Sequence, residues 1–115
     1  MLYVAQDMKK NNVVKIVVPV PEEYADKVRL AMGMAGAGCI GNYRYCAFTA
    51  RGKGYFLPGK GAKPAIGKIG AISEVDEVRI ETVCKKENLG TVIAAIKKAH
   101  PYEEVPIDVL PLIEL

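Results

Sequence analysis

The sequence has 115 residues, half of them apolar and a quarter charged, with 16 basic side chains against 13 acidic ones. Folding at this size hides roughly two-thirds of the unfolded chain's surface, enough for one core without disulfide staples and too little for several domains. The longest apolar run, Val13 to Val20, is broken by Lys15 and Pro19 and falls far short of the roughly 20 residues of a membrane helix. Residues 1 to 12 lack the ordered parts of a secretory signal, so a cytoplasmic address with no membrane contact is expected.

In chain order, residues 1 to 12 read as an N-terminal extension and residues 13 to 115 as a single domain. Val14, Ile16, Val18 and Val20 alternate at period two, the pattern of a half-buried strand. Pro21 then suits the first turn of a helix, whose face is Tyr24, Val28, Ala31, Met32 and Ala35. A strand from Tyr43 to about Arg51 follows. The second half repeats the order, with a strand from about Val75 to Cys84, a helix through Leu89, Val92, Ile93, Ile96 and Ala99, and a strand from Val105 to Leu112. Pro101 stops the second helix. Shifting the sequence by 64 positions aligns Val14-Lys15-Ile16 with Val78-Arg79-Ile80, Val28 with Val92, and Ala35 with Ala99. Two related β-α-β halves predict an α+β fold, the ferredoxin-like β-α-β-β-α-β sandwich, with an antiparallel sheet and both helices on one face. The other face, including Val17 and Val83, is left bare, and burial against further copies of the chain is expected.

Between the halves lies a long Gly-rich insert from Gly52 to about Ser73, read as a turn-rich excursion with a twisted hairpin through Tyr55-Phe56-Leu57 and residues 66 to 69. Loops of this length in a small domain tend to be functional or disordered. No Asp or Glu occurs between Asp26 and Glu74, a stretch that carries Lys27, Arg29, Arg44, Arg51, Lys53, Lys60, Lys63 and Lys68. Such a basic middle between acidic flanks suits an anionic partner, a solvated loop, or self-association with the acidic surface of another copy. Nucleic acid is disfavoured, because Tyr55 and Phe56 are the only aromatic residues in the insert and the net charge is only +3.

Several apparent motifs fail on context. Gly36 to Gly41 spells GxGxxG, but a helix precedes it and a strand follows, the reverse of a dinucleotide site; helix termination by glycine explains it better. Gly54 to Lys60 begins like a phosphate-binding loop, yet Gly61 stands where Ser or Thr must hold magnesium. What remains is an idea of glycine amides with Arg51, Lys53, Lys60 and Lys63 holding phosphate oxygens. Cys39, Cys46 and Cys84 lack paired spacing and read as reduced thiols. The single histidine lies in His100-Pro101-Tyr102-Glu103-Glu104, where capping of the second helix accounts for much of the pattern. Cys39 and His100 are expected at one end of the sheet but on opposite edges, on the order of 14 Å apart, able to share a metal only across a subunit contact. No Ser-His-Asp set or HExxH is present, so enzyme activity has little direct support.

Taken together, Gly36 to Tyr43 with Cys46 and Phe48, Gly54-Tyr55-Phe56 with Pro58, Pro64 with Gly67, Glu74 to Glu81, and Ala99 to Val105 resemble one known family. It is the PII- and CutA-like domain found inserted in bacterial members of the NGG-interacting-factor family, the GTP cyclohydrolase I type 2 homologues. The resemblance covers about Val13 to Leu112. It implies that in the longer proteins two flanking halves bind a pair of metal ions through histidines and carboxylates, that this chain is a stand-alone copy of the insert, and that the catalytic label does not carry over. It also implies a trimer whose subunit clefts and long loops receive small ligands or metals, with Cys39 standing where many relatives have histidine or arginine. The expected function is therefore a non-enzymatic trimeric module that binds a small anionic ligand or a metal through Asn42, Tyr43, Cys46, His100, Tyr102 and Glu103, with Lys60 and Lys63 as mobile contacts. Cys39 and His100 are the metal candidates, and no cofactor is identified. The alternative is an accessory subunit of a metal-dependent hydrolase or cyclohydrolase whose metal-binding halves lie on another chain.

Overall fold

Val14, Ile16, Val18 and Val20 are each no more than 4% exposed, so the alternation in the first strand delivers four side chains to one core. The computed structural model describes residues 10–113. These form β1 (Lys10–Pro21), a 3-10 turn (Glu22–Tyr24), α1 (Ala25–Met34), β2 (Phe48–Phe56), β3 (Ser73–Lys85), a second 3-10 turn (Lys86–Asn88), α2 (Leu89–Ala99) and β4 (Asp108–Ile113). The strand order is β2-β3-β1-β4, with every neighbouring pair antiparallel. This is the ferredoxin-like sandwich, with β2 and β4 as edges. Among the described residues no helix is long and apolar enough to cross a membrane.

The internal repeat is structural. The two 3-10 turns, and then the two helices, begin 64 positions apart, at Glu22 and Lys86 and at Ala25 and Leu89. Val28 and Val92, equivalent in the repeat, are both fully buried, and they pack with Met32, Ile96 and the inward side chains of β1 and β3 in one core. The helices end differently. Gly36, at φ 108°, closes α1, with its N–H donating to Gly33 O and the Ala37 N–H donating to Met32 O. That paired closure needs a left-handed residue, which glycine adopts without a Cβ clash. At the end of α2, His100 is extended (ψ 138°) because Pro101 follows it.

Three boundaries differ from the sequence reading. β2 starts at Phe48 rather than Tyr43 and runs through Gly52 and Gly54, which pair with Glu77 and Val75. The glycines read as turn punctuation are thus ladder residues, and the loop shrinks to residues 57–72. Tyr55 and Phe56 pair with Glu74 and Ser73, not with residues 66 to 69, and the loop is drawn together by the Gly70 N–H donating to Pro58 O at 2.8 Å. β4 begins at Asp108, three residues later than expected. Residues 10–12 open β1, while the rest of the expected extension lies outside the described residues.

Register places Lys15, Val17, Phe48, Arg79, Glu81, Val83 and Leu110 on the sheet face opposite the helices. Val17 is only 5% exposed there, although it is not part of the core. Beside it Glu81 receives both Lys15 at 3.5 Å and Arg79 at 3.1 Å. Phe48 and Leu110 stay open on this face, at 66% and 46% exposure.

Candidate functional site

The expected site residues separate into two groups at opposite ends of the sheet. The first group lies between α1 and β2. Gly38, at φ 83°, donates its N–H to Val83 O at 2.7 Å and accepts the Cys46 N–H at 3.0 Å. Cys46 is held from the other side by the Thr82 hydroxyl, which donates to Cys46 O at 2.6 Å. Ile40 and Tyr43 exchange backbone hydrogen bonds, both of 2.9 Å, around Gly41 and Asn42. Tyr43 points outward and is 74% exposed. Cys39 is exposed, whereas Cys84 is buried, and burial pushes its thiol pKa up.

The second group surrounds the end of α2. His100 is 6% exposed and its Nε2 donates to Pro19 O at 2.8 Å, while Nδ1 accepts the Tyr102 N–H at 3.2 Å. Both ring nitrogens are therefore engaged in holding the chain, which argues against His100 as a metal ligand. Burial lowers its pKa, partly offset by the bond to Pro19. Tyr102 lies edge-on to Phe56, ring centroids 5.6 Å apart. Its hydroxyl donates to Glu77 Oε2 at 2.6 Å, and burial together with this bond pushes the phenol pKa well above its ordinary value. Glu103 Oε1 accepts the backbone N–H of Lys63 at 2.7 Å, tying the loop to the chain after α2.

A cleft of about 630 Å³ opens between that loop and residues 102–106. Tyr102 and Glu103 line it, as expected of site residues. Glu77, Phe56 and Glu104 line it too; Phe56 and Glu77 fall within segments that carry the family resemblance, but neither was read as a site residue, because Glu77 looks like an ordinary polar strand position and nothing in the sequence marks it as the partner of Tyr102. Lys60 and Lys63 do not line the cleft; Lys63 contributes its backbone N–H only.

The pairing of Cys39 with His100 at one end of the sheet is corrected. Gly38 is bonded to Val83, which pairs with Lys15 near the start of β1, whereas His100 is bonded to Pro19 near its end. α1 follows β1 and α2 follows the antiparallel β3, so the helices run in opposite directions and finish at opposite ends. Glu77, beside Tyr102, and Thr82, beside Cys46, are five positions apart on β3, or roughly 17 Å. Asn42, Tyr43 and Cys46 can thus join the cleft residues only across a contact between copies. Among the described residues no three His, Cys, Asp or Glu side chains are grouped to hold a metal ion.

No protein-family model matches the chain. It is 52% identical over 98 residues to a GTP cyclohydrolase 1 type 2 homolog of Bacillus subtilis (strain 168), an alignment covering 85% of this chain and 26% of the relative. A Bacillus cereus protein related to NIF3 has a crystal structure that matches 91% of this chain and 26% of its own at 45% identity, with a TM-score of 0.77. The periplasmic divalent cation tolerance protein CutA from Archaeoglobus fulgidus matches at 18% identity with a TM-score of 0.63, covering 87% of this chain and 83% of its own. The last likeness concerns fold alone. The chain spans about a quarter of the length of the first two of these proteins, is a homologue of the segment of the GTP cyclohydrolase 1 type 2 homologues and NIF3-related protein that it matches, and has a CutA-like fold.

Proposed function

We propose that this chain is a non-enzymatic, homo-oligomeric binding module, trimeric and cytoplasmic, whose ligand enters the cleft beside Tyr102 where one copy meets the next. The cleft itself carries the reading: about 630 Å³ is the size of a small-molecule site, and Tyr102 and Glu103 are fixed in it by bonds to other segments. A sheet face with Phe48 and Leu110 exposed supports association, which would also bring the Asn42, Tyr43 and Cys46 group of one copy towards the cleft of another. The anionic ligand and the metal anticipated from the sequence gain no support, since the loop lysines stand outside the cleft and His100 is committed to the backbone. Native mass spectrometry of gently purified protein tests the proposal. A trimer that retains a small additional mass is expected, and a bare monomer overturns it.

A second reading is that of an accessory subunit. In it the chain serves a metal-dependent hydrolase or cyclohydrolase whose metal-binding halves lie on another chain; the likeness to one segment, 26% of the length, of a Bacillus subtilis GTP cyclohydrolase 1 type 2 homolog supports it. Affinity purification that recovers such a protein in stoichiometric amount supports this reading, and its absence from a cross-linked purification counts against it.

A further inference from the structure

We propose that the cleft beside Tyr102 takes an organic cation with an apolar body, a primary amine bearing an aromatic or aliphatic group. The proposal rests on the reading of the cleft as a ligand site and adds the chemical class of its occupant. The walls are largely apolar, with Phe56, Leu57, Pro58, Ile66, Val105 and Pro106 among them. The charged groups lining it are Glu77, Glu103 and Glu104, with no Lys, Arg or His among the described residues that form it. A mostly apolar pocket with a few convergent polar groups is the usual form of a small-molecule site, and here those groups share one sign.

Among the described residues none of these three carboxylates is neutralised by an ion pair. The five ion pairs among the described residues engage Glu22, Asp26, Asp76 and Glu81, and none includes a cleft carboxylate. In a chain of net charge +3, three acidic groups around one apolar space have no internal cation to answer them. Glu77 uses Oε2 for the Tyr102 hydroxyl and Glu103 uses Oε1 for the Lys63 N–H, so each carboxylate is held in place with acceptor capacity to spare. A primary ammonium brings three donors and no acceptor, the complement of that set. The Phe56 and Tyr102 rings, 5.6 Å apart, offer an aromatic wall on which a cation is further stabilised. An anion of the same size would meet like charge from all three of these carboxylates.

The test uses the intact protein and three probes in NMR titrations that follow the amide signals of Tyr102 and Val105: tryptamine, indole-3-propionate, and 3-methylindole as the uncharged body. Tryptamine is expected to bind at least about tenfold more tightly than indole-3-propionate and to lose affinity as salt is raised. Glu104→Gln, an exposed position, and Glu77→Gln are each expected to narrow that preference several-fold. Equal or tighter binding of indole-3-propionate, or a preference unchanged in both variants, overturns the cationic ligand while leaving the cleft a ligand site. If no probe shifts these signals at millimolar concentration, the reading of the cleft as a small-ligand site falls as well, and a segment of a second copy becomes its occupant.

Discussion

Glu77 lies directly over the α-carbon of Gly54: a Cβ built at residue 54 would stand 1.8 Å from Glu77 Oε1. The glycine in β2 thus lets the carboxylate fold down across the neighbouring strand while its other oxygen accepts the Tyr102 hydroxyl at 2.6 Å. An edge strand, a central strand and the segment after α2 converge in this one contact, and all three residues line the cleft.

Substitution at this glycine separates stability from site geometry. The atom in the way is the end of a flexible side chain, and alanine recovers about 0.5–1 kcal/mol of strand preference over glycine. Gly54→Ala is therefore expected to change unfolding free energy by less than about 1 kcal/mol, while lifting Glu77 away from Tyr102. Urea denaturation paired with a tryptamine titration checks this; the variant should stay folded and bind the amine several-fold more weakly.

Gly38 contrasts with Gly41. Both have positive φ, but a Cβ at Gly38 would stand 2.5 Å from Cys46 O and 2.7 Å from Cys46 N, whereas nothing lies within 4 Å of one at Gly41. Gly41→Ala incurs only the left-handed backbone penalty, about 1 kcal/mol, while Gly38→Ala must also move backbone and should cost about 2–4 kcal/mol. Paired urea midpoints for the two variants decide the ranking.

His100 makes stability depend on mildly acidic pH. Burial holds its pKa below the ordinary 6.5, so in acid the unfolded chain binds a proton that the folded one resists. Its contribution is fully present above about pH 6.5 and is lost as pH falls through that value towards the folded pKa. Unfolding free energy should drop between pH 7.5 and pH 5.5. His100→Phe should weaken this drop while costing about 2–3 kcal/mol at pH 7.5, because Pro19 O and the Tyr102 N–H lose their partner. As the chain has one histidine, its imidazole proton signal reports the titration directly.

Phe48 tests whether the bare face is covered by other copies. It is 66% exposed on that face and pairs across the strand with Glu81. Phe48→Asp is expected to shift the mass measured by light scattering from trimer towards monomer. The wild-type protein running as a monomer at the same concentration would remove the proposed contact.

Much of the fold was legible in the sequence because it depends on local periodicity. The period-two run from Val14 to Val20, the helical faces through Val28 and Val92, the 64-residue repeat and the stop at Pro101 each follow from neighbouring residues, and with right-handed crossovers they leave one topology. Strand ends were less legible. Gly52 and Gly54 read as punctuation because a sequence shows a missing side chain but not the Glu77 that lies over it.

What the sequence by itself determined was the sandwich, its two edge strands, its bare face and the segment after α2 as a place of interest. Tertiary structure decided how those pieces meet. Opposite helix directions send Cys39 and His100 to opposite ends of the sheet, and the bonds to Pro19 O and the Tyr102 N–H turn the single histidine from a candidate ligand into a fastening. Register sets Glu77 opposite Gly52 and within reach of Tyr102, 25 positions apart in the chain. The cleft's charge arises from residues distant in sequence, while the basic stretch conspicuous in composition leaves its lysines outside. Composition counts charges along the chain, whereas a site depends on which of them the fold turns towards a common space.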